Sequence, residues 1–398
     1  MFRKTVFWLH LSAGVTAGLF IFIMAATGVL LAFERQIVNF VDRDIAYVSV
    51  PQDPQSGSLN DLLETVRRAS LGQPTAIVVR NHPQAAIQFS FGRGKTVYVD
   101  PYSSAVLGVS SPRMHEFFST VEGLHRSLGA PLGSKSVGHW LTAISNLLFG
   151  ALILLGVVLW LPRKWSWKTL RASIAFRNGL REKARNWNWH NVIGIWCALP
   201  LLVIVLTGVV MSFGWANALL FRLTGSVPAA AGREGGDRRA HRDDHSVVGR
   251  EPNYDHLLNV AKTLNPDWRT ITLNVARGAS APVSATVDTG TGGQPQDRTQ
   301  YVLNRDTGRV VKSTSFADGS LGQRLRTFVR FGHTGEYGGL LGQVIAAIAS
   351  LGACVLVYTG LSLTIRRLAS RLKRKRPRII ASRETHEEQP AVSVVQKL

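Results

Sequence analysis

Four long apolar segments constrain what this chain can fold into. They cover residues 6–33, 140–161, 189–213 and 340–365. A helix needs about 20 apolar residues to cross the hydrocarbon core of a bilayer, and each segment is at least that long. We therefore predict a polytopic α-helical membrane protein with four transmembrane helices. The first run is much longer than the apolar part of a signal peptide, which has about 7 to 15 residues, so we interpret it as a retained helix.

The positive charge of the chain is concentrated in three short segments. The net charge is +21 at pH 7. Residues 1–5, 162–188 and 366–398 contain 20 Lys and Arg against 4 Asp and Glu, whereas the two long segments between the helices contain 26 against 21. Short basic loops stay in the cytoplasm, so both termini are predicted inside and both long segments outside. Topology and contact with anionic membrane lipid explain the basicity, and no nucleic-acid partner is predicted.

The chain has the pattern of two copies of one module. Each copy has a membrane helix that leads out of the cytoplasm, an external α+β segment, and a membrane helix that leads back. Residues 34–139 and 214–339 are the external segments, 162–188 is a basic cytoplasmic loop, and 366–398 is a basic cytoplasmic tail. Helical spacing and β-branched runs predict helices at 59–69, 114–128, 254–263 and 321–331, and strands at 76–79, 86–91, 96–99, 105–108, 270–276, 283–287, 299–303 and 309–311. The polar stretch 226–250 is predicted to be a flexible linker.

One pair of histidines recurs at matching positions in the two copies. His10 and His190 each precede a glycine by four positions and a Thr-Gly-Val by 17, and the two stretches align without a gap when His10 is placed on His190. A histidine inside a membrane helix is costly and usually faces the interior of the bundle. Two histidines at matching depth, near the cytoplasmic ends of their helices, therefore indicate one shared ligand.

A second pair lies near the external face. His125 and His333 stand in the two approaches to the descending helices. His139 opens the second membrane helix and is a third candidate for this external layer. Arg126 and Arg330 adjoin the pair and are candidates for pairing with haem propionates, as an alternative to an ordinary interfacial role.

Paired imidazole ligation of haem iron is the more specific of two interpretations of these four histidines. It requires two histidines from different helices and small residues that admit a flat macrocycle. Such room is offered by Gly14, Gly18, Gly194 and Gly28 or Gly208, although close helix packing explains these glycines about as well. Interfacial histidines satisfied by headgroups or neighbouring helices are the simpler alternative. Zinc or copper is less favoured, because no carboxylate or thiol accompanies the histidines within one turn.

Several motifs carry a family resemblance that covers nearly the whole chain, apart from the linker and the tail. They are Trp-x-His10-x3-Gly14 with its approximate repeat Trp189-His190-x3-Gly194, Thr-Val-Tyr-Val-Asp100-Pro101 with Val-Leu-Gly108, Leu-His125-Arg126-Ser-Leu128, and Gly332-His333-Thr334-Gly335-Glu336. Together they resemble the PepSY-associated transmembrane family, in particular its FoxB-like and PiuB-like inner-membrane proteins of bacterial iron uptake. The counterpart of His139 in the second copy is Gln343, which departs from this pattern.

The resemblance implies a fold and a function. It implies four membrane helices with two periplasmic PepSY-type domains in the bacterial inner membrane. It also implies bound haem b and reduction of ferric siderophores on the periplasmic side. Together with the two histidine pairs, this leads us to expect two haem b groups, with His10, His190, His125 and His333 as axial ligands. The haem would carry the redox chemistry, and no side chain is predicted to be catalytic.

The electron donor is predicted to be a separate molecule. The cytoplasmic segments 162–188 and 366–398 are short and strongly basic. Neither is long enough for a nicotinamide or flavin domain, since domains usually have about 50 residues or more. The donor would therefore be a cytoplasmic partner or a membrane quinol.

Two alternatives to a reductase remain open. One is a non-enzymatic PepSY membrane sensor or regulator, in which the helices serve as anchor and signal path. The other is a siderophore-uptake accessory protein that binds the chelate without reducing it.

Overall fold

The computed structural model describes residues 1–69, 72–92, 94–131, 136–162, 166–227, 251–276 and 281–375. Its helices are α1 (Phe2–Leu31), α2 (Glu34–Val41), α3 (Arg43–Ala46), α4 (Leu59–Arg68), α5 (Pro112–Ser127), α6 (Val137–Trp160), α7 (Trp167–Ile174), α8 (Glu182–Ser212), α9 (Gly214–Leu223), α10 (Tyr254–Leu264), α11 (Leu321–His333) and α12 (Gly339–Lys375). Its strands are β1 (Ala76–Arg80), β2 (Ile87–Ser90), β3 (Thr96–Val99), β4 (Val106–Val109), β5 (Thr270–Asn274), β6 (Val283–Asp288), β7 (Arg298–Leu303) and β8 (Val310–Ser315). The predicted linker from residue 228 onward and the predicted tail from residue 376 onward lie outside the described residues.

Four helices form a bundle that can cross a membrane, as predicted. Among the described residues, α1, α6, α8 and α12 are long and apolar enough to do so. Helix α1 packs against α6 and α12, and α8 packs against the same two helices, so α1 and α8 lie on one diagonal of the bundle. Large apolar side chains such as Leu19, Leu199 and Leu351 are more than half exposed on its surface. Such an apolar exterior suits contact with lipid.

Two of these helices extend beyond the predicted apolar runs. Helix α8 begins at Glu182 and α12 continues to Lys375, both past the ends of the hydrophobic segments. The extensions are held to each other, because Glu182 pairs with Arg366 and the Asn186 amide donates to the Ser362 hydroxyl at 3.0 Å. Adding turns to an existing helix costs far less than nucleating one, so polar contacts of this kind suffice to lengthen it.

The two α+β segments share one continuous sheet, which differs from the prediction of two separate domains. All eight strands form an antiparallel sheet in the order β4-β3-β2-β1-β5-β6-β7-β8. The halves join where β1 pairs with β5, with Ala76 opposite Asn274 and Arg80 opposite Thr270. Joining two four-stranded sheets in this way removes two exposed strand edges, which would otherwise present unpaired backbone groups.

One hydrophobic core lies between this sheet and the helices α4 and α10, and it draws on both halves. Alternate residues of the strands point into it, as expected for a sheet with one buried face. The fully buried members of this core are Leu62, Leu63, Val66, Ile77, Phe89, Val97, Val99, Tyr254, Leu257, Ala261, Ile271, Leu273, Val283, Ala285, Val287 and Leu303. The halves therefore share their packing as well as their hydrogen-bond ladder.

Helix α4 of the first half is also bonded to residues at and just before the start of α10 in the second half. Ser58 is the N-cap of α4, and its hydroxyl accepts from the Asn60 backbone N–H. The Asp255 carboxylate of α10 accepts from the Ser58 hydroxyl at 2.6 Å and from the Leu59 backbone N–H at 2.9 Å. Arg67 forms a bidentate pair with Glu251, at 2.6 and 2.7 Å. An acidic group at a helix N-terminus also opposes the positive end of the helix dipole, so these contacts stabilise α4 from the other half.

Helices α2 and α3, which the sequence did not predict, connect the end of α1 to the other face of the sheet. Asp42 between them is buried, and its carboxylate accepts from the Tyr98 hydroxyl at 3.3 Å, the Ser111 backbone N–H at 3.0 Å and the Ser110 hydroxyl. Burial and the nearby Asp42 charge raise the pKa of Tyr98 to about 12. This cluster fixes α1 to β3 and to the start of α5.

We expect Asp255→Ala to destabilise the outer unit by about 2 kcal/mol, because it leaves the buried start of α4 without a charged acceptor. Thermal unfolding of the detergent-solubilised protein, followed by circular dichroism, measures this change. Asp267→Ala is the matched control, because Asp267 is an exposed acid in the same half. Equal melting curves for both variants would contradict the role of Asp255.

Candidate functional site

His10 and His190 lie opposite each other on two diagonal helices of the membrane bundle. His10 lies on α1 and His190 on α8, the two diagonal helices. Their ring centroids are 6.3 Å apart, and the ring planes are nearly perpendicular, at 87°. The structure therefore brings together the two residues that the repeat pairs, and both lie at the end of the bundle opposite the sheet. We call them the inner pair.

His125 and His333 form a second pair at the sheet side of the bundle. They lie near the ends of α5 and α11, with ring centroids 6.2 Å apart and an interplanar angle of 70°. We call them the outer pair. Glycines let both chains turn tightly back into the membrane: a Cβ at Gly138 would overlap the Ser127 carbonyl, and one at Gly342 would overlap the Gly335 carbonyl.

The two pairs are well separated along the bundle. The His125 ring contacts Thr27 of α1, which lies 17 positions after His10 on the same helix. At a rise of about 1.5 Å per residue, this places the layers about 26 Å apart. Between them lie buried apolar side chains, including Ile21, Leu201 and Ala353. Each pair thus lies on its own side of an apolar layer.

Each of the four rings lies against a glycine of an adjoining helix. A Cβ on that glycine would lie 3.3 to 3.5 Å from the histidine Cε1 atom. The four contacts are Gly156 with His10, Gly360 with His190, Gly28 with His125, and Gly208 with His333. By contrast, the nearest neighbours of Gly14, Gly18 and Gly194 are leucine and valine side chains at ordinary contact distance, so no histidine lies against these three glycines.

Threonine hydroxyls lie beside three of the four rings, and sequence reasoning did not single them out as site residues. The Oγ1–Nδ1 distances are 3.0 Å for Thr27 with His125, 3.1 Å for Thr207 with His333, and 2.9 Å for Thr359 with His190. Thr27 and Thr207 belong to the repeated Thr-Gly-Val. Thr359 directly precedes Gly360, which corresponds to Gly156 of the first copy, since each lies 18 positions after a glycine at the start of its helix. The repeat thus contained the signal that marks them.

The other ring nitrogen, Nε2, makes no hydrogen bond to the described residues in any of the four histidines. In metalloproteins a histidine ligand commonly binds the metal through one nitrogen while the other is held by a carbonyl, carboxylate or similar acceptor. No group of three or more His, Cys, Asp or Glu side chains lies close enough to hold a metal ion in the part of the chain that the structure describes. Each pair therefore offers two imidazole ligands and no third.

The remaining predicted site residues lie beside the outer layer without joining the pair. The His139 ring is packed edge-to-face with Trp140, with centroids 6.0 Å apart. Arg126 pairs with Glu122 at 2.6 Å and is largely exposed. The Arg330 guanidinium lies 5.4 Å from the centroid of the Phe331 ring. Their predicted roles as third ligand or propionate partners stay predictions.

Carboxylates surround the sheet-side end of the bundle. Glu34 closely follows α1, Glu122 precedes His125 by three positions, and Glu336 follows His333 by three. Partial burial of Glu34 raises its pKa, and the charges of Glu122 and Glu336 raise it further, whereas His115 lowers it. Two of these acids have basic partners, because Glu122 pairs with Arg126 and Glu336 with Arg35.

A known protein family matches nearly the whole length of the chain. The family model described as PepSY-associated TM region matches residues 7–367. The chain belongs to this family. The match includes both histidine pairs and the four membrane helices almost completely. No curated protein is significantly similar to the chain.

We expect Glu34→Gln to raise the melting temperature at pH 7 and to leave it unchanged at pH 4. The raised pKa means that ionised Glu34 costs stability above its ordinary value of 4.5, and this cost vanishes as the pH falls below that value. Melting curves at both pH values measure the difference. Glu116→Gln, at an exposed position of α5, is the control; a gain at pH 7 no larger than in this control would contradict the expectation.

Proposed function

We propose that the protein is a haem-containing reductase of the bacterial inner membrane that passes electrons across the membrane to a periplasmic ferric siderophore, from which iron is released. It would act like the FoxB-like and PiuB-like proteins that its motifs resemble. The observation that carries the proposal is the presence of two facing histidine pairs, one near each end of the bundle.

The spacing within each pair fits axial ligation of a haem iron. An imidazole–metal–imidazole axis with metal–nitrogen bonds of about 2.0 Å separates the ring centroids by roughly 6 to 6.5 Å. The observed separations are 6.3 and 6.2 Å. A haem needs only two axial ligands, because its macrocycle supplies the other four nitrogens, whereas a zinc site takes three or four ligands from the protein. Two imidazoles per site thus favour haem over a bare ion.

The bundle supplies what such a cofactor requires. His10 and His190 would hold one haem, and His125 and His333 would hold the other. The glycines against the rings keep side chains away from the ligands, and the apolar layer between the pairs excludes water. When bound, haem supplies one-electron transfer; the chain binds and orients it.

The direction of transfer follows from charge and topology. The short basic segments support an orientation with the inner pair near the cytoplasm and the sheet in the periplasm. A cytoplasmic partner or a membrane quinol would deliver the electrons. Because the two halves form one sheet, we place the ferric chelate beside the outer pair instead of in a cleft between two domains. Reduction to Fe(II) weakens binding by hard oxygen ligands, which releases the metal.

The absorption spectrum of the purified protein tests the proposal. We expect a Soret band, and an α-band that appears on reduction with dithionite, at a stoichiometry of two haem groups per chain. Protein from haem-replete cells that lacks both bands would exclude the redox function and leave the non-enzymatic sensor or the uptake accessory protein.

Histidine variants test the pairing. We expect His10→Ala and His190→Ala each to remove one haem, and His125→Ala and His333→Ala to remove the other, because a single remaining imidazole holds the iron poorly. Pyridine haemochrome assays give the haem content per chain. His82→Ala, at an exposed position, should keep both groups. Unchanged haem content in both inner-pair variants would show that the pairing is wrong.

A further inference from the structure

The hydroxyls of the three threonines already donate their protons to backbone carbonyls of their own helices. Thr27 donates to the Ile23 carbonyl at 2.7 Å, Thr207 to the Val203 carbonyl at 2.7 Å, and Thr359 to the Val355 carbonyl at 2.8 Å. A hydroxyl has a single proton to give. Its oxygen can therefore only accept from the histidine, so Nδ1 must carry the ring proton.

A backbone contact leads independently to the same protonation state. The His333 Nδ1 atom lies 2.9 Å from the Ile204 carbonyl oxygen. A carbonyl has no proton to donate, so His333 is the donor. A neutral imidazole with a proton on Nδ1 has its free lone pair on Nε2. Threonine and backbone together thus select the tautomer that binds metal through Nε2.

His10 lacks this arrangement, although the rest of its surroundings repeat those of His190. The position equivalent to Thr359, directly before the repeated glycine, is Leu155. The His10 Nδ1 atom is buried and has no hydrogen-bond partner among the residues that the structure describes. The Leu152 carbonyl lies beside the ring, outside the geometry of a hydrogen bond to Nδ1. The inner pair is therefore unequal, whereas both members of the outer pair have a hydroxyl acceptor.

We propose that Thr27, Thr207 and Thr359 are positioning residues that hold His125, His333 and His190 as Nδ1–H tautomers and so aim Nε2 at a shared metal. Leu155 has no hydroxyl, so His10 lacks the corresponding hydrogen bond at Nδ1. The inference rests on the proposed function in so far as that metal is haem iron.

The hydrogen bond at Nδ1 also tunes the metal. An acceptor at this nitrogen makes the imidazole a stronger electron donor. A stronger donor stabilises Fe(III) more than Fe(II), because the oxidised metal has the higher charge. Removing a threonine hydroxyl should therefore raise the midpoint potential of the haem in that pair, and adding one should lower it.

Two substitutions at the inner pair provide opposite tests. We expect Thr359→Val to raise the potential of one haem and Leu155→Thr to lower it, while the second haem keeps its wild-type value. A tenfold change in the preference for Fe(III) over Fe(II) corresponds to about 59 mV, which a spectroelectrochemical titration resolves. Thr359→Ser retains the hydroxyl and should restore the wild-type potential.

Thr364→Val is the control for structural disturbance, because Thr364 lies on the same helix and, among the described residues, its hydroxyl bonds only to the Gly360 carbonyl of that helix. Potentials of Thr359→Val and Leu155→Thr that match this control, with haem content intact, would overturn the tuning role.

Nitrogen-15 spectra of histidine-labelled, haem-free protein test the tautomer separately from the proposed function. We expect Nδ1–H signals for His125, His190 and His333, and loss of the His190 signal in Thr359→Val. Nε2–H signals for these rings in the wild type would overturn the inference even if haem is bound. Nδ1–H signals in a protein that never binds haem would support the tautomer selection and refute the haem function.

Discussion

An imidazole buried among apolar helices must keep its hydrogen bonds, because an unpaired buried polar group costs about 1 to 3 kcal/mol. The bundle meets this requirement at Nδ1 of His125, His190 and His333, with one arrangement used repeatedly. A glycine lets the neighbouring helix approach the ring edge, and that close approach brings a backbone carbonyl or a threonine hydroxyl within reach of Nδ1. The contact that satisfies Nδ1 also leaves the lone pair of Nε2 unused, in pairs whose ring centroids are 6.2 to 6.3 Å apart. The close packing of the helices therefore also determines which ring nitrogen is available to a ligand.

The sheet sets the position of the outer pair. Helices α5 and α11 follow β4 and β8, which are the two edge strands of the sheet. With about 4.8 Å between neighbouring strands, the two helices start roughly 34 Å apart. They converge until the rings of His125 and His333 are 6.2 Å apart. The separation of the two edge strands is set by the shared core, the β1–β5 pairing and the contacts of Asp255. These contacts therefore also set the distance between His125 and His333, which belong to different halves.

Local patterns predicted most elements of the fold, and the repeat predicted part of the site. Apolar runs indicated the four membrane helices, and the alignment of the two copies paired His10 with His190, whose rings the structure places together. The joining of β1 to β5 was not predictable in the same way, because alternating strands of both halves satisfy the same pattern and sequence carries no signal for so distant a pairing. The threonines were harder to find, because a threonine in a membrane helix commonly bonds to its own backbone. The repeat places Leu155 opposite Thr359, but the consequence for His10 becomes visible only when the surroundings of His10 and His190 are compared in space.

The β1–β5 junction also has a consequence for how the chain is made. Strand β1 can pair with β2 early, but its other edge stays open until the ribosome has reached Thr270–Asn274. At about 5 to 20 residues per second, this takes roughly 10 to 40 seconds. During that time an apolar Ala-Ile-Val-Val edge is open to pairing with other nascent chains. Biogenesis of this protein therefore includes a period in which the first half needs protection that the second half later provides.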